Sequence, residues 1–134
     1  MSLTVPPELL DQAERGDVAE DDFVRCIRDS LPYAYEMVAG LAGRLRTGDV
    51  DPGLSFADNR VEPPDEQARG QLLRAMASDA IRSALERHFE VRLAFQNCHR
   101  VAVFQTDASA DEQHARFTSV RAQLLNQSPE MVNC

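Results

Sequence analysis

Asn97-Cys98-His99-Arg100 sets a thiol beside an imidazole and a guanidinium. Positive neighbours lower a thiol's pKa, and the resulting thiolate is a nucleophile and a target for oxidants. Cys98 and His99 are therefore the candidate catalytic pair of a small thiol-dependent enzyme or redox sensor. Adjacency in sequence is weak support, because catalytic Cys and His groups meet across a fold whereas neighbours in a turn project apart. Turn geometry and packing explain the same four residues more simply, so Cys98 and His99 stand as candidates and no catalytic group is assigned.

Tyr33 and Tyr35 follow Pro32 and point to different faces of a helical run, so one can join the core while the other meets a ligand or partner. With Asn97 and Arg100 they are the candidate contact residues. A small-molecule-binding helical module would need a buried apolar cavity near Tyr33, Tyr35 and Phe95. No metal is expected, since His88, His99, His114 and the cysteines Cys26, Cys98 and Cys134 show neither ligand-pair nor CxxC spacing. No cofactor is expected either. The scattered cysteines, three and so odd in number, read as reduced thiols. The acids Glu20, Asp21 and Asp22 suit a first helical turn better than a cation cluster.

All 14 basic residues are arginine, against 22 Asp and Glu, for a formal charge of −8. Without lysine, a P-loop and a Schiff-base mechanism are excluded. The acidity is N-terminal: residues 1–66 hold 15 acids and 6 arginines, and the rest is close to neutral. Such a chain repels phosphate backbones and anionic lipid, so nucleic acid and membranes are disfavoured partners. Arg82, Arg87, Arg92 and Arg100 form the one basic region, suited to an acidic partner or to the acidic half of a second copy. No apolar run approaches the roughly 18 residues needed to span a bilayer, and Met1-Ser2-Leu3-Thr4 does not read as a leader, so a cytoplasmic location is expected.

The elements that would hold these residues follow from periodicity. The fold class is mainly α with one β-hairpin (α+β), about four to five helices around a single core in one domain, 1–134. Residues 1–47 read as N-terminal helices. Thr4 is the expected cap of the first, and Phe23, Val24, Ile27, Leu31, Ala34, Val38, Leu41 and Leu45 form a helical stripe that crosses Pro32. Either the helix kinks there or Asp29 or Ser30 caps a second helix, and two helices are favoured. Residues 48–64 read as a long loop, in which Leu54 and Phe56 plug the core or reach a partner. Residues 65–89 read as one long helix with Leu73, Met76, Ala80, Ile81, Ala84, Leu85 and His88 near one stripe. Alternation over 91–104 reads as a β-hairpin. A three-residue turn at Asn97-Cys98-His99 opposes Phe95 to Val101 and Leu93 to Val103, which builds one apolar face; a two-residue turn scatters it. A lone hairpin is marginal, so it must pack on helices or pair across a dimer. Ser109 and Glu112 form a capping box for a C-terminal helix over 109–126, with Phe117, Val120, Leu124 and Leu125 on one face.

Ser30-Leu31-Pro32-Tyr33-Ala34-Tyr35, Asp65-Glu66-Gln67-Ala68-Arg69-Gly70-Gln71-Leu72-Leu73-Arg74 and Leu93-Ala94-Phe95-Gln96-Asn97-Cys98-His99-Arg100 resemble segments of a family of small uncharacterised streptomycete proteins. The resemblance runs through nearly the whole chain. It implies an actinobacterial, cytoplasmic origin, which the all-arginine, alanine-rich composition of a GC-rich genome fits, and it carries no catalytic residues. The sequence therefore leaves function open. Its best expectation is a non-enzymatic interaction or regulatory domain that self-associates as a homodimer through helices and possibly the hairpin edge.

Overall fold

The structure, a computed structural model, describes residues 2–59, 61–96 and 100–125. Among them are α1 (Pro7–Glu14), α2 (Glu20–Ser30), α3 (Pro32–Thr47), β1 (Phe56–Asp58), α4 (Glu66–Ala77), α5 (Asp79–Phe89), β2 (Arg92–Gln96), β3 (Arg100–Phe104), a 3-10 turn (Ala108–Ala110), α6 (Asp111–Phe117) and α7 (Val120–Leu125). The class is α+β as expected, but seven α-helices replace four or five. None is long and apolar enough to cross a membrane.

Local breaks set the helix count, one of them at Pro32 as favoured and two more beyond expectation. Leu31 leaves helical geometry (φ −128°, ψ 61°), so the stripe across Pro32 is carried by two helices, α2 and α3. Neither Asp29 nor Ser30 caps α3. Gln71 of α4 does so instead: its Oε1 accepts from Tyr33 N (2.7 Å) and Ala34 N (3.3 Å), two of the donors a helix start leaves orphaned. Ser30 Oγ accepts from Thr4 N at 2.8 Å, so Thr4 ties down the N-terminal segment rather than capping α1.

The expected 65–89 helix divides at Ser78, whose extended backbone and hydroxyl, accepting from Ile81 N at 3.3 Å, start α5 afresh. The break also resets the phase. In α4 the buried face is Ala68, Gln71, Leu72, Ala75 and Met76, so Leu72 is core and Leu73 faces out. The 109–126 helix divides likewise. Asp107, not a Ser109–Glu112 box, caps its start by accepting from Ser109 N (3.0 Å). At Thr118 and Ser119 both hydroxyls turn back onto carbonyls of α6, and Ser119 Oγ then accepts from Ala122 N (3.1 Å) to open α7.

The hairpin holds the register that parity required: Leu93 faces Val103, Phe95 faces Val101, and Gln96 faces Arg100, with 97–99 outside the described residues. It is not alone. The expected 48–64 loop contains β1, which pairs antiparallel with β3 and puts Phe56 opposite Phe104, giving the order β1-β3-β2. On the remaining edge Glu86 Oε2 accepts from Leu93 N at 2.9 Å, occupying a donor that would otherwise invite another strand.

Strand alternation sends Ala57, Leu93, Val101 and Val103 into the main core with α2, α3, α4 and α5. The opposite face carries Ala94, Ala102 and Phe104, which pack on Ala110 and Phe117 with Phe56 beside them. Phe56 thus plugs its own domain. The sheet is a middle layer between four helices and α6. Gly40 lies on the exposed side of α3, and a Cβ there would meet nothing within 4 Å. Gly40→Ala is expected to raise folding stability by about 1 kcal/mol, read as a later urea midpoint.

Candidate functional site

Asn97, Cys98 and His99 lie outside the described residues, and the residues described on either side of them are Gln96 and Arg100. There Arg100 begins β3 and Gln96 ends β2. Arg100 Nε and Nη2 donate to Asp58 Oδ2 at 3.0 and 2.8 Å, and Nη1 donates to Gln96 Oε1 at 3.1 Å. Its carbon centre lies 5.0 Å from the Phe117 ring centroid, within cation–π range. Gln96 Nε2 donates to Phe117 O at 2.6 Å, and Asn59 Oδ1 accepts from Val101 N at 2.8 Å. Asp58 is 6% exposed. All three guanidinium nitrogens of Arg100 are engaged inside the chain, so it fastens β1 to the ends of β2 and β3.

Among the described residues Arg82, Arg87 and Arg92 each pair with an acid of the same chain, Arg87 through its Nε alone. Arg82 meets Asp79 at 2.8 Å, Arg87 meets Glu20 at 2.7 Å, and Arg92 meets Asp111 at 3.0 Å. The Glu20 and Asp58 pairs join the acidic first half to the second half within one molecule.

Tyr33 and Tyr35 do separate to different surroundings. Tyr33 lines an open groove of about 420 Å³ with Met37, Gly40, Leu41 and Val61. Burial raises the pKa of its hydroxyl, and the Asp65 carboxylate adds to the rise. Tyr35 lies against Phe89 (5.4 Å between centroids), with its hydroxyl 3.5 Å from His88 Nε2. Tyr35 and Phe95 do not line the Tyr33 groove. Among the described residues no cluster of three His, Cys, Asp or Glu could hold a metal. Cys26 is buried, with Sγ 3.4 Å from Thr4 O.

Periodicity alone missed three features. The first is the Asp58–Arg100 clip, joined by two strands far apart in sequence. The second is a mixed cleft of about 340 Å³ bounded by Leu54, Phe56, Phe117 and Leu125 on its apolar side and Arg116 and Arg121 on its basic side. Gln113 closes it by donating to Gly53 O (2.8 Å) and accepting from Ser55 N (2.7 Å), which folds the 48–55 segment onto α6. The third is α7, where Val120, Leu124 and Leu125 are 76%, 67% and 63% exposed. Their helical spacing was the available signal, but it reads the same for a core face as for an outward one.

His114 packs edge-on to Phe104 at 5.1 Å. Burial lowers its pKa and the Arg92 charge adds to the fall, with Glu86 and Asp111 opposing. A histidine whose folded pKa is depressed binds protons more readily when unfolded. Its stabilising contribution is therefore complete above the ordinary value of about 6.5 and declines as pH drops through that value toward the folded pKa. His114→Gln is expected to flatten the loss of urea resistance on acidification from neutral pH.

Fold and surfaces together define a helix-rich α+β domain whose three-stranded sheet is covered on both faces and whose last described helix is apolar toward solvent. The chain belongs to the family described as NucS shadow ORF, which matches residues 1–134, its full length. Neither the curated proteins nor the solved structures offer a match.

Proposed function

We propose that this chain is a non-enzymatic interaction or regulatory domain that forms a homodimer in the cytoplasm of an actinobacterium. The observation that carries the reading is α7: three large apolar side chains stand in solvent on a helix of six residues. Val120 and Leu124, one turn apart, share a helix face, and large apolar side chains left in solvent at that spacing suit an interaction site. A two-fold axis through α7 would set Val120 and Leu124 of one copy against the same residues of the other, an isologous contact that closes at two subunits. The sheet edge is the weaker candidate, because β1 occupies one side of the hairpin and Glu86 occupies a donor on the other.

The family description names a reading frame by its relation to NucS and states no activity. The family's name, KH_NucS_shadow, also carries the letters KH. KH modules grip a nucleic-acid backbone through a G-x-x-G loop. The single G-x-x-G run here, Gly40-Leu41-Ala42-Gly43, lies inside α3 with Leu41 and Ala42 buried, so it offers no loop to a backbone. That geometry and the charge of −8 favour a protein partner over nucleic acid.

Leu124→Arg is the test. Self-association through α7 predicts that this variant sediments as a monomer, with unchanged circular dichroism, at concentrations where the parent is a dimer. A variant that associates as the parent does would refute the assignment to α7.

A further inference from the structure

The N-terminal segment and α1 form one side of an open apolar cavity whose other walls include Glu20 and Phe23 of α2 and Arg87 of α5. Leu3, Leu9, Leu10, Val18 and Phe23 are among the side chains around a cavity of about 480 Å³. That volume is typical of small-molecule sites, which are mostly apolar with a few polar groups that orient the ligand. Here the polar groups include Arg87 and Glu20, which also line the cavity. Glu20 accepts from Arg87 Nε at 2.7 Å, and among the described residues nothing engages the two terminal nitrogens of that guanidinium. Those nitrogens form a planar donor pair of the kind that takes a carboxylate two-handed.

The cover is lightly held. Leu9 is the buried residue of α1. Its polar ties are Gln12, which donates to Asp22 Oδ2 and accepts from Ala19 N, each at 2.9 Å. Gly16, at φ +72°, makes the turn out of α1 in a conformation that other residues rarely adopt. Thr4 adds two ties to α2, its N donating to Ser30 Oγ and its O accepting from Cys26 Sγ, and a cover held by one buried helical side chain and these few hydrogen bonds can lift without disturbing the main core.

We infer that this cavity binds a single-chain amphiphile with a carboxylate head, its alkyl chain under α1 and its head on Arg87. The site is independent of α7, so it stands or falls apart from the proposed dimer.

Titration calorimetry of decanoate into the full-length protein, stripped of bound lipid, tests the inference. Expected is saturable binding of one decanoate per chain, weakening about fourfold for each methylene removed from the ligand. Arg87→Gln should weaken decanoate about tenfold while leaving decanol unchanged. Leu10→Gln, at a half-exposed position that tolerates a polar side chain, should weaken both ligands alike. The inference is overturned by an absence of saturable binding, by affinity independent of chain length, by an equal effect of Arg87→Gln on decanoate and decanol, or by binding indifferent to Leu10→Gln.

Discussion

Phe104→Ala is expected to cost about 4 kcal/mol of folding stability, a large share of what a domain of this size possesses. Phe104 is fully buried at the end of β3. Its ring stacks on Phe56 at 4.7 Å and meets Phe117 edge-on at 5.7 Å and His114 at 5.1 Å. Truncation removes the shared partner of three rings and opens a void between the sheet and α6. The neighbours are poorly placed to collapse into it, because Phe56 is held by the β1–β3 ladder and Phe117 carries the carbonyl that Gln96 engages. Urea denaturation measures the loss, and Val61→Ala, at a position 75% exposed and away from α7, is the control, expected to change stability by less than about 0.5 kcal/mol. A loss below about 1.5 kcal/mol for Phe104→Ala would mean that the α6 side of the sheet is not a packed core.

Arg100→Met has the second largest expected effect, about 2 to 3 kcal/mol. The methionine keeps apolar bulk over Phe117 but withdraws three nitrogens from the buried Asp58 carboxylate and from Gln96. Removing one member of a buried pair leaves the other desolvated beside a weaker set of partners, which costs more than the pair contributes while intact. Adding Asp58→Asn to Arg100→Met should recover part of the loss, with a coupling of at least about 1 kcal/mol in the double-mutant cycle. Additive losses would show that the two side chains do not act as a unit.

What could be read from the sequence was what neighbours in sequence decide. The hairpin register followed from parity, because a shift by one residue would have turned Leu93 and Phe95 away from the core. The α2–α3 stripe survived Pro32 because both helices pack on the same core, so Val24, Ile27, Leu31, Ala34, Val38, Leu41 and Leu45 are all buried. What escaped depends on partners distant in the chain. Phe56-Ala57-Asp58 is too short to show alternation and becomes a strand because β3 offers an open edge. Gln71 looks like an ordinary polar helix residue until α3 presents two uncapped donors to it. The Ser78 break hides inside an apolar pattern that runs on across it, and the resulting shift in phase selects Leu73 where Leu72 is the core residue.

The candidate site divides along the same line. Tyr33 and Tyr35 were legible as residues on two sides of one helix. Arg100 was picked out for its neighbours in the turn, whereas its bonded partners lie on β1 and at the end of β2. The apolar spacing of Val120, Leu124 and Leu125 was legible too, but spacing does not say whether the covering surface belongs to the same chain or to another.

Sedimentation equilibrium of the full-length protein over a wide concentration range addresses that question most directly. The account predicts a reversible monomer–dimer equilibrium, which Leu124→Arg shifts to monomer. A single monomeric species at every concentration, for parent and variant alike, would contradict it.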